Sequence, residues 1–467
     1  MCLLFLFLLF LQNFELYYLY LVFPIKTNIK FVPKYERIIF NSTHFIKYYF
    51  KNEIYTNAFI GNPTQQIILN INMKDYLFYI AKGSCYDNSL SFYNYNKSNS
   101  FNRLSDFTYS YRNLIDAIYA TESFQFYNEI NLNNNQTFKN LSLILGALKE
   151  KSNTSYDYCG SIGLAIETAS LNLTYPFFIN QLKNIDSKIN FIFSFVYITN
   201  EKPYLIIGST PHKINITKFK NKNLEFIHIS KNNDNKLEWK INFHKIYFEN
   251  KNELFLVNEF YDAEFDININ YIICSNEYFK LITDNYFKEY INSRICRIDN
   301  VTSEENQEII YQVIKCSNQM FDYNDMSKFP TLNFYLSSLD YHFTMSFENL
   351  FEEINDEIFF LVINEARKEK ENKWKLGKIF LRKYEFVFNM EDRNIGFYKP
   401  INNSYENNFV AVRIFLIFFC SVFGISLIWF IIYFGKKCLG NKAKLNNKDL
   451  ERDFCFKSNN NSNYLEI

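Results

Sequence analysis

The chain has 467 residues, long enough for two sizeable lobes rather than one small core. Lys and Arg number 50 against 49 Asp and Glu, so the charge balance gives no footprint for nucleic acid. Aromatic residues reach 19%, with 52 Phe and 36 Tyr, while Gly stands at only 11; this bias suits an AT-rich genome, so position-specific arguments outweigh enrichment.

Both ends are apolar. Met1 to Leu11 is a Leu/Phe-rich block broken by Gln12, Asn13 and Glu15, the length of a secretory leader's apolar core and too short to span a bilayer. Residues 1–23 are therefore expected to be a signal peptide, although the block lacks a basic start and Tyr17 to Phe23 blurs the cleavage point. A short segment, 24–52, follows. Ile414 to Phe434 carries no charge and has the roughly 20 residues that a membrane helix needs. The expected topology is a single-pass type I membrane protein, with a transmembrane helix over 412–434 and a polar cytoplasmic tail over 435–467. Lys436 and Lys437 on the inner side agree with it, and Arg413 on the outer flank weakens the agreement. Glycosylation sequons begin at Asn41, Asn96, Asn135, Asn140, Asn153, Asn172, Asn215, Asn300 and Asn402, which permits a glycoprotein in a chain this rich in Asn.

Cys85, Cys159, Cys274, Cys296 and Cys316 fall in the expected ectodomain, where disulfides persist; the odd number leaves one unpaired or bonded elsewhere. No C-x-x-C pair exists and the histidines show no ligand spacing, so neither a metal nor another cofactor is expected.

Between the termini the pattern is β. Tyr55 to Ile80 reads as a strand, a Gly-Asn-Pro turn, a second strand, a polar loop and a third apolar strand. Gly83 to Leu104 is loop-like, Ile118 to Ile130 alternates again, and Leu141 to Leu148 is a short apolar run. Residues 159–165 (CGSIGLA) read as a Gly-punctuated buried turn, and Pro176 to Asn184 as a short helix. Phe191 to Ile198 and Tyr204 to Gly208 are strands. The second half repeats this order coarsely. Leu237 to Phe248 reads as a strand pair, and Glu259 to Ile273 as strand, turn and apolar run. Tyr278 to Ile291 is helical, and strands follow at Thr331 to Leu336, Phe359 to Ile363 and Ile379 to Phe388. The expectation is an all-β ectodomain in two similar halves.

In order, these landmarks resemble the pepsin-like aspartic peptidases over roughly Tyr55 to Pro400. Ala58 to Pro63 with Gln65 and Gln66 resembles the family's "iGtPpQ" turn, and Ile71 to Ile80 stands where its first D-T-G-S-S-x-L-W-V belongs. CGSIGLA resembles "DGILGLG", Phe193 to Phe195 resembles "FSFyL", and Leu205 to Ser209 resembles "LxfGG". Phe265 to Asn270 stands at "vDTGTS", and Phe329 to Leu332 resembles "FPtltF". Trp374 to Arg382, with Phe386 to Asn389 and Asn394 to Phe397, resembles "wiLGdxFLrxyyxvFD…xxIGfA". The resemblance implies a bilobal, pepsin-like double β-barrel with a central cleft, its lobes over 53–217 and 218–405. It also implies a Cys296–Cys316 disulfide; Cys85 is a candidate partner for Cys159.

The family's chemistry needs two carboxylates close enough to share one proton, one activating water and the other donating to the scissile carbonyl; pepsin is itself the general worked case of such a dyad. Here Asn72 takes the first Asp position, Met73 the Thr, Lys74 the Gly and Asp75 the Ser. Asp266 keeps the second position, followed by Ile267 and Asn268. An amide cannot serve as general base. Lys74 brings an ammonium to the cleft, where it can pair with Asp266. In the flap, Phe107 to Leu114 offers Tyr109 and Tyr111 but no glycine. Three readings stay open. In the first, the protein no longer cleaves and its cleft binds a peptide or protein ligand. In the second, it is an active peptidase whose dyad is Asp266 with Asp75 as substitute. In the third, it is a glycosylated scaffold that makes no use of the cleft. The expected partners are that ligand and the membrane, with no nucleic acid, on a monomer.

Overall fold

The structure is a computed structural model that describes residues 20–27, 54–81, 93–106, 114–126, 136–148, 159–166, 177–187, 189–197, 203–215, 219, 223–229, 237–250, 253–302, 310–354, 356–366, 374–399 and 432. Most of the expected leader, Cys85, Tyr109, Tyr111 and the apolar run 414–434 (Ile432 aside) lie outside them. Among the described residues no helix is long and apolar enough to cross a membrane.

Strands dominate, as β-branched and aromatic residues in alternation require. The first lobe contributes β1 (Leu21–Pro24), β2 (Lys26–Thr27), β3 (Ile54–Ile60), β4 (Gln65–Asn72), β5 (Phe78–Ala81), β6 (Asn102–Asp106), β7 (Leu114–Phe126), β8 (Gln136–Leu148), β9 (Gly160–Gly163), β10 (Ile192–Val196) and β11 (Tyr204–Ile207). The second contributes β12 (Leu224–His228), β13 (Lys240–Asn250), β14 (Glu253–Phe265), β15 (Ile272–Cys274), β16 (Cys296–Thr302), β17 (Ile310–Ser317), β18 (Leu332–Leu336), β19 (Tyr341–Met345), β20 (Phe351–Ile354), β21 (Glu357–Phe360), β22 (Val362–Ala366), β23 (Trp374–Leu376), β24 (Phe386–Asn389) and β25 (Asn394–Tyr398). Four helices matter below: α1 (Phe178–Ile185), α2 (Pro211–Ile214), α3 (Asn276–Ile282) and α4 (Lys378–Tyr384).

The two larger sheets are built on one plan. In the first, the sheet runs β2-β3-β4-β9-β5-β8-β7-β6; in the second, the run β13-β14-β23-β15-β22-β17 repeats the order of β3-β4-β9-β5-β8-β7. After α1 and after α4 the chain runs into a strand pair of a third sheet, ordered β1-β11-β10-β24-β25-β12, which draws on both halves of the chain. Phe193 of β10 faces Phe388 of β24 there, their rings 5.0 Å apart, and Trp239 packs edge-on to both.

Several elements differ from the sequence reading. CGSIGLA contains a strand rather than a turn: β9 runs parallel to β4 and antiparallel to β5. Its glycines are what let three backbones crowd together, since a Cβ on Gly163 would meet Tyr76 C at 2.4 Å. β6 lies in the expected loop 83–104 and beyond; every residue in it is exposed, so no apolar face marked it. Leu237 to Phe248 is one strand rather than a pair, its partner β14 following later. Ile379 to Tyr384 is helical, not extended, because Phe380, Leu381 and Tyr384 repeat at helical spacing on the buried face. Phe359 to Ile363 is split between β21 and β22.

The Cys296–Cys316 disulfide is present, joining directly opposed residues of β16 and β17. Closing a loop of 20 residues restricts the unfolded chain by about 3 kcal/mol. Cys159 is also disulfide-bonded, its partner lying outside the described residues, and Cys274 is free and buried.

The start of the fold lies within the expected leader. Leu21, Val22 and Phe23, placed in the signal peptide by the boundary at residue 23, form β1 and pair with β11. Their side chains are 1–2% exposed, and Phe23 stacks edge-on to Phe126 at 5.0 Å. β2 then pairs with the start of β3, so one short segment joins two sheets.

Candidate active-site cleft

Two loops emerge where the parallel pairs β4/β9 and β14/β23 end. Asn72 pairs with Gly163, while Phe265 pairs with Leu376, which sets Asp266 beside Gly377. Six residues after Asn72 and after Asp266, the next strand pairs back onto the same partner: Phe78 with Ile162, Ile272 with Leu376. The turns themselves match. Lys74 N donates to Asn72 Oδ1 at 2.8 Å, and Asn268 N donates to Asp266 Oδ1 at 3.0 Å. Three residues along each loop, Ala165 N donates to Asp75 O and Lys378 N to Ile269 O, both at 2.8 Å. Asn72 and Asp266 are thus equivalent positions of one repeated turn, which rests on a glycine each time: a Cβ on Gly377 would meet Tyr271 O at 2.1 Å.

Met73 and Ile267, side by side in this equivalence, are 4% and 0% exposed and belong to the main core. Apolar packing supports the loops from below. Leu164 carries the tie between lobes: its N–H donates to Asn72 O at 2.7 Å, and its carbonyl accepts from Trp239 Nε1 of the second lobe at 2.8 Å.

Lys74 crosses the lobe boundary. Its Nζ lies 2.5 Å from Asp266 Oδ2 and 3.6 Å from Glu264 Oε1. Burial works against the ammonium, but Asp266 and Glu264 outweigh it and hold its pKa above the usual range. Burial pushes the Glu264 carboxyl up; Lys74 pulls it down, Asp266 adds to the rise, Lys375 opposes it, and Glu238 adds again. Asp75 is 1% exposed, and its carboxylate accepts from Leu77 N at 3.1 Å within its own loop. Lys74 is the residue of this loop whose contact with Asp266 is seen.

Glu264 escaped the sequence reading, although its signal was available: two residues before Asp266 on a strand, it shares that residue's face. The Trp239 tie gave no comparable signal, because its partner is a backbone carbonyl 75 positions away.

Two outcomes follow. Lys74→Met should cost about 1–3 kcal/mol in urea unfolding, between an exposed pair and a buried one, because Asp266 and Glu264 then face each other without a cation. A loss below about 0.5 kcal/mol would show that the pair contributes little. Glu264 has a folded pKa above its unfolded value, so its contribution is present below the ordinary carboxylate range and is lost as pH rises through the folded value. Glu264→Gln should therefore flatten the decline in stability as pH rises from the ordinary carboxylate range towards neutral; an unchanged slope would contradict this.

Among curated proteins, none matches the sequence. The family model of the eukaryotic aspartyl proteases matches residues 54–399, the stretch that builds both lobes and both loops. The chain belongs to the eukaryotic aspartyl protease family.

Proposed function

We propose that this protein is a family member that binds extended peptide or protein ligands in its cleft and no longer cleaves them. One observation carries the reading: the carboxylate of Asp266 is held by the ammonium of Lys74 at 2.5 Å, while its equivalent in the first lobe is the amide of Asn72. A shared-proton dyad needs two like-charged carboxyls at those positions. Asn72 cannot titrate, and Asp266 is neutralised by a fixed cation instead. The ligand's backbone would hydrogen-bond along the cleft walls, a mode that needs no catalytic group.

The same reading places the protein in the secretory or endolysosomal system or at the cell surface, anchored by residues 412–434 with the lobes outside. A leader cut ahead of Tyr20 is compatible with the burial of β1. Sequons at Asn96, Asn140 and Asn300 lie on exposed residues and are accessible to glycan.

Hydrogen exchange of the full chain, mixed with a pool of extended peptides, tests the binding. Slowed exchange over residues 72–75 and 265–270 with all peptides intact supports it. No change in either loop would overturn cleft binding and favour a scaffold that makes no use of it.

A further inference from the structure

Glu264 sits between two lysines and is the first choice of neither. In the ladders it faces Lys240 of β13 on one side and Lys375 of β23 on the other. Residues directly opposed across a strand pair share a face, so the three side chains leave the sheet together. Yet Lys240 Nζ turns to Asp262 Oδ2 at 2.5 Å, and Lys375 Nζ turns to Glu365 Oε2 at 2.9 Å. The third cation, Lys74, lies 2.5 Å from Asp266 and 3.6 Å from Glu264. Each of these ammoniums has a closer carboxylate than Glu264.

A second acid stands beside it. Trp239 O accepts from Phe265 N at 2.8 Å, which carries the Lys240–Glu264 register one step further. The next residue back, Glu238, comes level with Asp266, on the face that holds Glu264. Glu238 is exposed, and the Glu264 side chain is 30% exposed, so both are open to a ligand. Burial pushes the Glu264 carboxyl up, and the charge of Glu238 is among those that add to the rise.

On an open surface two acids are screened by salt and select little. These two flank Asp266 in the cleft, beside strands whose lysines are engaged elsewhere. What the wall lacks is a cation, and a ligand lying along the cleft is in position to bring one.

We propose that Glu238 and Glu264 form a subsite for a basic side chain, so that the cleft selects extended peptides carrying Lys or Arg where the backbone passes Asp266. The proposal rests on the cleft-binding reading and adds the class of ligand to it. A guanidinium donates through its planar fork, and an ammonium through three separate protons, so either cation can serve both carboxylates. Lys74 stays on Asp266, because the incoming cation binds at Glu264 and Glu238. An acidic side chain at the same place meets like charge, which gives the subsite its discrimination.

The test is fluorescence anisotropy of labelled, end-blocked hexapeptides with the full chain in detergent near neutral pH. One set walks a single Lys through every position; matched sets carry norleucine or Glu there instead. At one position Lys should bind about tenfold tighter than norleucine, the scale of one charge-assisted hydrogen bond, and Glu weaker than both. Glu264→Gln should remove most of that preference. If this variant fails to fold, Glu238→Gln, at an exposed position, should still reduce it. Equal binding of the Lys, norleucine and Glu sets would overturn the basic subsite and leave cleft binding standing. Binding of no peptide would overturn cleft binding itself, and the subsite with it. A Lys preference that survives both substitutions would overturn the assignment to Glu238 and Glu264. Nα-acetyl-lysine amide, the side chain without an extended backbone, should not displace the Lys peptide at equal concentration; displacement would overturn the peptide as ligand in favour of a free cation.

Discussion

A chain lacking residues 1–27 should lose at least about 5 kcal/mol of stability, or fail to fold, whereas one lacking only residues 1–19 should fold as the full chain does. The difference is β1 and β2. Leu21, Val22, Phe23 and Ile25 are 1–4% exposed, and burying side chains of this kind contributes about 1.5–3 kcal/mol each. Their loss also strips hydrogen-bond partners from the edge of β11, along Tyr204 to Ile207. Urea unfolding of the two truncations, followed by circular dichroism, reads the difference. Equal stability would mean that the N-terminal strands are dispensable.

Trp239→Ala should cost about 3–5 kcal/mol, the range for removing a large buried aromatic. Trp239 is 3% exposed, touches Phe193 and Phe388 of the sheet shared by both halves, and donates to Leu164 O. The indole thus joins that sheet to the loop that holds Asn72. Trp239→Phe separates the two roles: it keeps the packing and should cost about 1–2 kcal/mol, mostly for the stranded carbonyl. If the Ala variant lost less than about 1 kcal/mol, the tie between the lobes would lie elsewhere.

Much of the fold was legible in the sequence, for identifiable reasons. Strands with one buried face, such as Tyr55 to Ile60 and Ile67 to Ile71, announce themselves by alternation. The order of such segments, with glycines at 163 and 377 where backbones cross, carried the all-β architecture. What escaped were elements without that contrast. β6 is exposed throughout, and β9 is buried throughout. Local pattern also misplaced α4, whose buried residues 380 and 381 are adjacent and read as a strand until Tyr384 is counted on the same face. β1 was hidden by its composition: an apolar edge strand placed soon after the apolar run Met1 to Leu11 reads as its continuation.

The site was partly legible. The substitution of Asn72 and the ammonium at Lys74 could be read directly, because the turn that presents them is repeated at Asp266. Glu264 as a second partner of Lys74, and Leu164 as the link to Trp239, depend on contacts across the lobe boundary that no local pattern encodes.

In the proposed function Asp266 is an ion-pair partner of Lys74 and not a catalyst. The direct measurement is cleavage of denatured protein by the full chain between about pH 3 and 6, by mass spectrometry of released peptides, with and without a statine-type inhibitor and with Asp266→Ala alongside. The account predicts no inhibitor-sensitive products from wild type and none from the variant. Inhibitor-sensitive cleavage by wild type that disappears in Asp266→Ala would contradict it.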